Sequence, residues 1–310
     1  MTVTPSNIVR IATRASALAM WQARHIASLI VAQSPATSIE LVEISTTGDR
    51  VLSQPLRDFG GLGVFTREVQ VAVLDGRADL AVHSLKDLPT ETHTDLTLAA
   101  ITERGLTADA LVLPQNRVDA AGPLPLAPGA KVATGSPRRQ AQLLAQRPDL
   151  ELVEVRGNVE TRLRKLDDGE FNAIILACAG LERLGLGHRI SRRLSAPLMY
   201  PAVGQGAIGI ECRANDVATR TLLASITHAP TWAAALAERA LLAKLRAGCH
   251  APVGVSSALA GSLLSLEAVV LTLDGRRRWS AAARGSVNAP AALGAAVADL
   301  LLQQGADVGR

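Results

Sequence analysis

The nine residues Ala81-Val-His-Ser-Leu-Lys-Asp-Leu-Pro89 indicate how the chain is organised. An apolar start leads into Ser84, Lys86 and Asp87 within four positions, and the stretch stops at a proline. This order predicts a strand that delivers polar side chains at its carboxyl end. In open α/β sheets, ligands bind at that end of the strands. A solvated turn with ordinary surface charges is the alternative interpretation of these three residues, and the rest of the chain must decide.

A similar junction of strand and helix stands near the start of the chain. An apolar run over residues 8–13 predicts a strand, and Ser16 can cap a helix predicted for residues 17–32. Arg14 and Ser16 therefore lie at a strand end beside a helix N-terminus, which is a natural anion site. The residues that recur along that helix at spacings of three or four are Leu18, Trp21, His25, Leu29 and Ala32.

Three further junctions carry arginines. After a crossing near residues 103–109, strands are predicted at 110–113, 131–133, 151–155 and 172–177. Ser136 and Asn158 can cap the helices that follow two of these strands, with Pro137 in the first turn of one of them. The alternation of strand and helix predicts parallel sheets with right-handed crossovers, so the junctions lie on the same side of a sheet. The arginines that they carry are Arg138, Arg139, Arg156, Arg162 and Arg183.

The stretch Gly204-Gln-Gly-Ala-Ile-Gly209 has the glycine spacing of a dinucleotide site. We reject that interpretation because the glycines follow Pro201 instead of a strand, and no acidic residue ends a second strand about 20 positions later. Residues 207–211 are predicted to be a strand that returns to the first sheet. The elements expected afterwards are a helix at 231–244, strands at 253–259, 264–273 and 278–284, and a helix at 290–303, which together make a small α+β domain.

Composition limits the functions that the chain can have. Its 310 residues predict two or three domains, and 48% hydrophobic against 19% charged residues predicts globular domains. The net charge of +4 favours an anionic partner. Aromatic residues make up 2% of the chain, and no helix-turn-helix or zinc pattern is visible, so a small polycarboxylate fits better than nucleic acid. We expect no metal site.

Cysteine usage and hydropathy bear on the compartment. The chain has no apolar run of about 20 residues and no apolar signal-peptide core at its start, so we expect a cytoplasmic protein without a membrane segment. Three cysteines without a CxxC pair favour a reducing compartment.

Cys178 lies in an apolar run and is expected to be inert core. Cys249, between Gly248 and Pro252, lies on a predicted loop where its thiol can be nucleophilic. A monomer is expected.

A glycine-rich loop spans residues 51–64 before a helix that starts near Thr66. Its segment Gly60-Gly61-Leu62-Gly63 is consistent with a mobile flap or a close backbone approach to a ligand, and equally with a flexible surface loop.

Taken together, these motifs resemble the porphobilinogen deaminases, or hydroxymethylbilane synthases, from one end of the chain to the other. The matching stretches are 10–16, 81–89, 134–140, 156–159, 201–211 and 247–249. The resemblance implies an α/β fold with two domains like type II periplasmic binding proteins, each with a mixed, mainly parallel sheet, and a small C-terminal α+β domain. The implied boundaries are 1–103 with 204–222 for domain 1, 109–200 for domain 2 and 225–310 for domain 3.

The resemblance also implies an activity. The family joins four porphobilinogen molecules head to tail, with loss of ammonia at each step, to give hydroxymethylbilane. The primer is one dipyrromethane cofactor per chain, tethered by a thioether to the cysteine that matches Cys249. Asp87 would act as general acid and base and stabilise positive charge on the pyrrole. Lys86 and Ser84 would orient carboxylates.

Every pyrrole of the substrate carries an acetate and a propionate, which explains why arginines recur at the strand ends, since a guanidinium pairs bidentately with a carboxylate. The positions that match the family's binding residues are Arg14, Ser16, Ser84, Lys86, Thr134, Gly135, Ser136, Arg138, Arg139, Arg156, Arg162, Arg183 and Gln205. The positions that match its flap are Gly60, Gly61, Leu62, Gly63 and Phe65.

Two positions depart from the family pattern. Leu62 stands where the flap commonly has a lysine, so that electrostatic contact is missing or comes from another residue such as Arg57. Gly135 stands where a hydroxyl side chain is frequent. The rival hypotheses are a non-catalytic anion-binding module, which would need neither Asp87 nor Cys249, and a nucleic-acid binder, which steeply salt-dependent DNA binding would support.

Overall fold

The computed structural model describes residues 7–46, 66–91, 93–115, 122–247 and 251–307. Contacts divide the chain into two units. Unit 1 comprises the described residues up to Arg104 together with Ala207–Trp232, and unit 2 comprises Gly105–Gly206 together with the described residues from Ala233 onward. The polypeptide therefore leaves unit 1 after Arg104 and re-enters it at Ala207.

Unit 1 contains a five-stranded sheet in the order β2-β1-β3-β10-β4. Its strands are β1 (Asn7–Arg14), β2 (Thr37–Ile44), β3 (Leu80–Ser84), β4 (Leu96–Ile101) and β10 (Ile208–Arg213). Its helices include α1 (Ala17–Gln33), α2 (Arg67–Leu74) and α6 (Val217–Ala224). Strand β1 pairs in parallel with β2 and β3, whereas β10 is antiparallel to both β3 and β4.

Helix α1 begins as predicted, because Ser16 Oγ accepts a hydrogen bond from the Ala19 amide at 3.4 Å. Its fully buried face differs from the predicted stripe. The residues on that face are Gln22, Ala23, Ile26 and Ile30, of which the last three join the core formed by β1 and β3. The helix is apolar on two adjoining stripes, so spacing alone did not distinguish the stripe that packs on the sheet.

Unit 2 contains a second five-stranded sheet in the order β7-β6-β8-β5-β9. Its strands are β5 (Asp109–Val112), β6 (Lys131–Ala133), β7 (Glu151–Val153), β8 (Ala173–Ala177) and β9 (Arg192–Leu194). Its helices include α3 (Pro137–Gln146), α4 (Val159–Asp167) and α5 (Cys178–Arg183). Strand β9 was not predicted, because it is three residues long and buries Leu194 alone, which leaves no alternation to detect.

The two sheets share one feature. Strands β5 and β10 are each the first strand after the chain crosses between the units, each is fourth in its sheet order, and each is antiparallel to both neighbours. The expected mixed, mainly parallel sheets are thereby confirmed, as is the return of the chain to the first sheet. The glycines of the rejected dinucleotide motif precede the main part of β10 instead of following a strand.

The C-terminal part of the chain forms a three-stranded antiparallel sheet with helices, as predicted. Its elements are α7 (Ala229–Lys244), β11 (Val253–Ala260), β12 (Leu263–Leu271), β13 (Arg278–Ser286) and α8 (Pro290–Gln303). Leu241 of α7, Leu266 of β12 and Val297 of α8 are among its fully buried core residues. No helix within the described ranges has the length and apolar content that crossing a membrane requires.

The second crossing depends on a glycine. Gly206 has a φ of +86°, and a Cβ there would lie 2.6 Å from the Gly105 carbonyl oxygen and 2.9 Å from that of Leu106. We expect Gly206→Ala to lower the free energy of unfolding by about 2–5 kcal/mol, from backbone strain plus overpacking. Equilibrium unfolding in urea measures this loss of stability. Gly169→Ala is the matched control, since Gly169 has a φ of +81° but open space around a Cβ. Equal losses in the two variants would contradict the overpacking.

Candidate active site

The predicted strand end at residues 81–89 is a turn anchored by leucines. Strand β3 ends at Ser84 and continues into a 3-10 turn over Leu85–Asp87. Leu85 and Leu88 are buried, and the Leu85 amide donates to the Ala207 carbonyl at 3.0 Å. Between these anchors, Lys86 is half-buried and Asp87 is exposed. The turn therefore holds the Asp87 carboxylate in solvent at a defined position.

Arg14 and Ser16 lie at the same edge of the sheet. They follow β1, which is the parallel neighbour of β3, with Ile11 paired to Leu80. The carboxyl ends of parallel strands meet at one edge, so the predicted residues from both strands are brought together there. The Ser84 hydroxyl also accepts a hydrogen bond from Gln22 Nε2 of α1 at 2.9 Å.

A buried polar pair lies directly behind this edge, and sequence reasoning missed it. His83 Nε2 is 3.1 Å from Glu211 Oε2, and their side chains are 4% and 0% exposed. Gln70 Nε2 donates to the same carboxylate oxygen at 2.8 Å. These contacts tie β3, β10 and α2 together one residue before Ser84. The available signal was a charged residue inside the apolar strand that follows Gly209.

Arg138 and Arg139 open helix α3 and share one buried carboxylate. Arg138 Nη1 donates to Asp109 Oδ2 at 2.7 Å, and Arg139 Nη2 donates to Asp109 Oδ1 at 2.6 Å. Asp109 is fully buried. Burial by itself would raise the pKa of its carboxyl group, but the two guanidinium groups bring the pKa well below its usual value. Asp109 is therefore ionised at neutral pH. Sequence reasoning did not single out Asp109. The sequence feature that could have identified it is an acidic residue at the start of an apolar strand.

The two arginines differ in what they have left to donate. Arg138 Nη1 also donates to the Tyr200 carbonyl at 2.6 Å, but its buried Nε has no hydrogen-bond partner among the described residues. Arg139 donates through Nε to Asp109 at 3.0 Å and through Nη1 to the Ile175 carbonyl at 3.0 Å. Each of the three Arg139 nitrogens thus already donates within the protein.

The other predicted arginines follow β7 and β8, which are both parallel neighbours of β6: Arg156 and Arg162 come after β7, and Arg183 ends the short helix after β8. Arg156 follows β7 and is half-buried. Arg162 Nε donates to the Gly157 carbonyl at 2.7 Å, and Arg183 Nη2 donates to the Gly206 carbonyl at 2.6 Å. Burial lowers the pKa of Arg183 to about 10, so that its side chain is still charged at neutral pH. The predicted convergence of these arginines at one edge is therefore observed.

The turn before α3 differs in one detail from the prediction. Ser136 precedes the helix, but its hydroxyl makes no capping hydrogen bond. Instead Thr134 Oγ1 accepts a hydrogen bond from the Ser136 amide at 3.3 Å. At Gly135 a Cβ would lie 3.6 Å from the Val155 carbonyl oxygen, an ordinary contact. A residue with a Cβ would therefore fit at position 135 without a steric clash.

Gln205 belongs to the Asp109 cluster. Its Nε2 donates to Asp109 Oδ1 at 3.0 Å and to the Thr107 carbonyl at 2.7 Å.

Cys178 is buried as expected, and so is Cys212. Burial raises the pKa of both thiols to about 11, which disfavours the nucleophilic thiolate. The predicted residues that lie outside the described part of the chain are Gly60, Gly61, Leu62, Gly63, Phe65 and Cys249, and Arg57 lies outside it too.

This fold and these strand ends define an α/β protein equipped to bind small polycarboxylates. Two family models match the chain: "Porphobilinogen deaminase, dipyromethane cofactor binding domain" over residues 9–221, and "Porphobilinogen deaminase, C-terminal domain" over residues 232–303. The chain belongs to the porphobilinogen deaminase family.

Individual relatives agree with this assignment. The chain is 48% identical over 298 residues to a porphobilinogen deaminase of Xanthomonas campestris pv. campestris, covering 96% of this chain and 97% of that protein. It is 45% identical over 301 residues to one from Pelobacter propionicus, covering 97% and 96%. Similar solved structures include an arginine-specific periplasmic binding protein of Salmonella typhimurium, with a TM-score of 0.41, 12% identity, and coverage of 71% of this chain and 92% of that chain.

The activity follows from the family. The chain is a transferase of tetrapyrrole biosynthesis, the route to porphyrins and haem, and it condenses four porphobilinogen molecules head to tail into hydroxymethylbilane with release of ammonia. It elongates a dipyrromethane cofactor. The enzyme hypothesis is thereby confirmed over a non-catalytic anion-binding module and over a nucleic-acid binder.

Proposed function

We propose that Asp87 is the acid–base catalyst of the condensation. The observation that carries this proposal is the exposed carboxylate on a turn that two buried leucines anchor. A carboxyl group in a fixed position can give a proton to the leaving amine and then take one from the newly joined pyrrole. As an anion it also stabilises positive charge that develops on the ring. Lys86 and Ser84, on the same strand end, orient substrate carboxylates.

We further propose that the arginines of unit 2 bind the acetate and propionate groups of substrate and cofactor. Arg138 supports this most directly, because a buried Nε without a hydrogen-bond partner is costly and a ligand carboxylate would satisfy it. A donor set of arginine, serine and threonine fits the side chains of a dipyrromethane, which when bound supplies the pyrrole carbon that accepts the first substrate. The residues proposed to hold carboxylates are Arg14, Ser16, Thr134, Ser136, Arg138, Arg139, Arg156, Arg162 and Arg183, with the Gly135 amide and Gln205.

The attachment point and the organisation of the chain complete the proposal. Cys249 is the tether, supported by the burial and raised pKa of the other two thiols. The chain forms three domains, 1–103 with 204–222, 109–200 and 225–310, supported by one sheet in each. It works as a cytoplasmic monomer, which is supported by the absence of CxxC pairs and of an extended apolar seam in the sequence.

An intact mass under denaturing conditions tests the tether. We expect the purified protein to carry the extra mass of one dipyrromethane, and Cys249→Ser to lack it because a hydroxyl is a much weaker nucleophile than a thiolate. Cys178→Ala is the matched control and should keep the extra mass. Extra mass that persists in Cys249→Ser would assign the tether elsewhere. An unmodified wild-type mass after incubation with porphobilinogen would show that the cofactor is not assembled.

A further inference from the structure

Asp109, at the centre of a buried cluster, has no part in the chemistry proposed so far. Asp109 Oδ1 accepts hydrogen bonds from Arg139 Nε, Arg139 Nη2 and Gln205 Nε2, and Oδ2 accepts one from Arg138 Nη1. Asp109 is 0% exposed, and both of its oxygens are engaged. A carboxylate in this state neither reaches a substrate nor exchanges a proton with it. Any effect of Asp109 on the reaction must act through the residues that it holds.

The atoms that Asp109 engages differ between the two arginines. A guanidinium group offers two nitrogens, Nε and Nη2, along one edge that pairs side-on with a carboxylate. Arg139 uses this edge on Asp109 itself. Arg138 is held by Nη1 alone, which Asp109 and the Tyr200 carbonyl share. The buried Nε of Arg138 donates to no residue that the structure describes, and the hydrogen bonds that this arginine makes run through Nη1.

We propose that Asp109 is a positioning residue for carboxylate binding: by holding Nη1 of Arg138 it leaves the Nε and Nη2 edge of that arginine free for a ligand carboxylate. Arg139 holds the other oxygen of Asp109. This inference rests on the proposed role of Arg138 in binding. Gln205 and Tyr200 both come from the chain segment before the second crossing, so the cluster also fixes the start of α3 against that segment.

Asp109→Asn tests the inference, because it keeps the shape and one acceptor oxygen but removes the charge. We expect the KM for porphobilinogen to rise about 10- to 100-fold, the effect of a misplaced charge-assisted hydrogen bond, with kcat changed less than about threefold. Asp149→Asn is the matched control, since it breaks a solvent-accessible aspartate–arginine pair at 2.7 Å in the same unit. A purely structural role of Asp109 would lower the melting temperature and the folded fraction but leave KM unchanged.

Arg138→Lys keeps the test decisive if Asp109→Asn does not fold, and a double variant measures the coupling if it does. Arg138→Lys keeps the charge beside Asp109 but lacks the Nε and Nη2 edge, so its KM should rise as much as that of Arg138→Ala, and a KM within about threefold of wild type would overturn the role of that edge. The double variant Asp109→Asn/Arg138→Ala should be no worse in KM than Arg138→Ala alone, since Asp109 acts through Arg138. Additive effects overturn the inference. An unchanged KM in Arg138→Ala itself would instead overturn the proposed binding role of Arg138.

Discussion

Asp87→Asn is expected to lower kcat by about 10²- to 10⁴-fold, because the amide cannot give or take the proton that each condensation moves. The fold should be unaffected, since Asp87 is exposed and the turn is held by the burial of Leu85 and Leu88. The measurement is the rate of hydroxymethylbilane formation at saturating porphobilinogen. The intact mass of the same sample reports whether the dipyrromethane is attached.

Asp95→Asn serves as the matched control for that loss. Asp95 lies eight residues further along the chain, and its side chain is 76% exposed. It should keep wild-type kcat, because an exposed carboxylate away from the strand end has no proton to transfer. A kcat for Asp87→Asn within about threefold of the control, in a sample with the cofactor attached, would remove Asp87 from the chemistry.

Arg138→Ala is expected to stall chain growth partway, because each added pyrrole brings carboxylates that must be paired away from water. Asp109 keeps Arg139 as its partner in this variant, so the protein should still fold. Native gels should show shorter enzyme-bound intermediates at the expense of the longest ones, with KM raised about 10-fold or more.

The control for Arg138→Ala is Arg164→Ala. Arg164 is an exposed arginine of helix α4 in the same unit, so its loss changes the net charge by the same amount without touching the strand ends. It should show the wild-type distribution of intermediates. A normal distribution in Arg138→Ala as well would show that the arginine does not bind the growing chain.

Local features of the chain made most of the fold predictable. Strand β6 and helix α8 begin and end where predicted, because polar residues, glycine or proline flank them. The convergence of arginines followed from strand–helix alternation, which brings the carboxyl ends of parallel strands to one edge. Asn158 also caps α4 as predicted, accepting from the Thr161 amide at 2.9 Å.

The rest depended on pairings between distant residues. Asp109 holds Arg138 and Arg139 because β5 pairs with β8. The residues that flank Asp109 in the sequence do not predict that pairing. The pairing of His83 with Glu211 likewise requires β10 to lie beside β3, across more than a hundred residues. The buried stripe of α1 was ambiguous because both of its stripes are apolar. Long-range geometry, not local propensity, decided each of these.

The placement of β10 also imposes an order on synthesis. Strands β3 and β4 of unit 1 do not pair with each other; they are joined through β10, so the sheet has a gap until residue 213 has left the ribosome. The five-stranded sheet of unit 2 takes all its strands from the continuous stretch 109–194, so it can be completed first. Until β10 is made, β3 and β4 of the nascent unit 1 each have an unpaired edge. Unpaired strand edges are the surfaces most prone to pair with another chain. The sheet of unit 1, although its first strand is made first, is therefore completed later than the five-stranded sheet of unit 2.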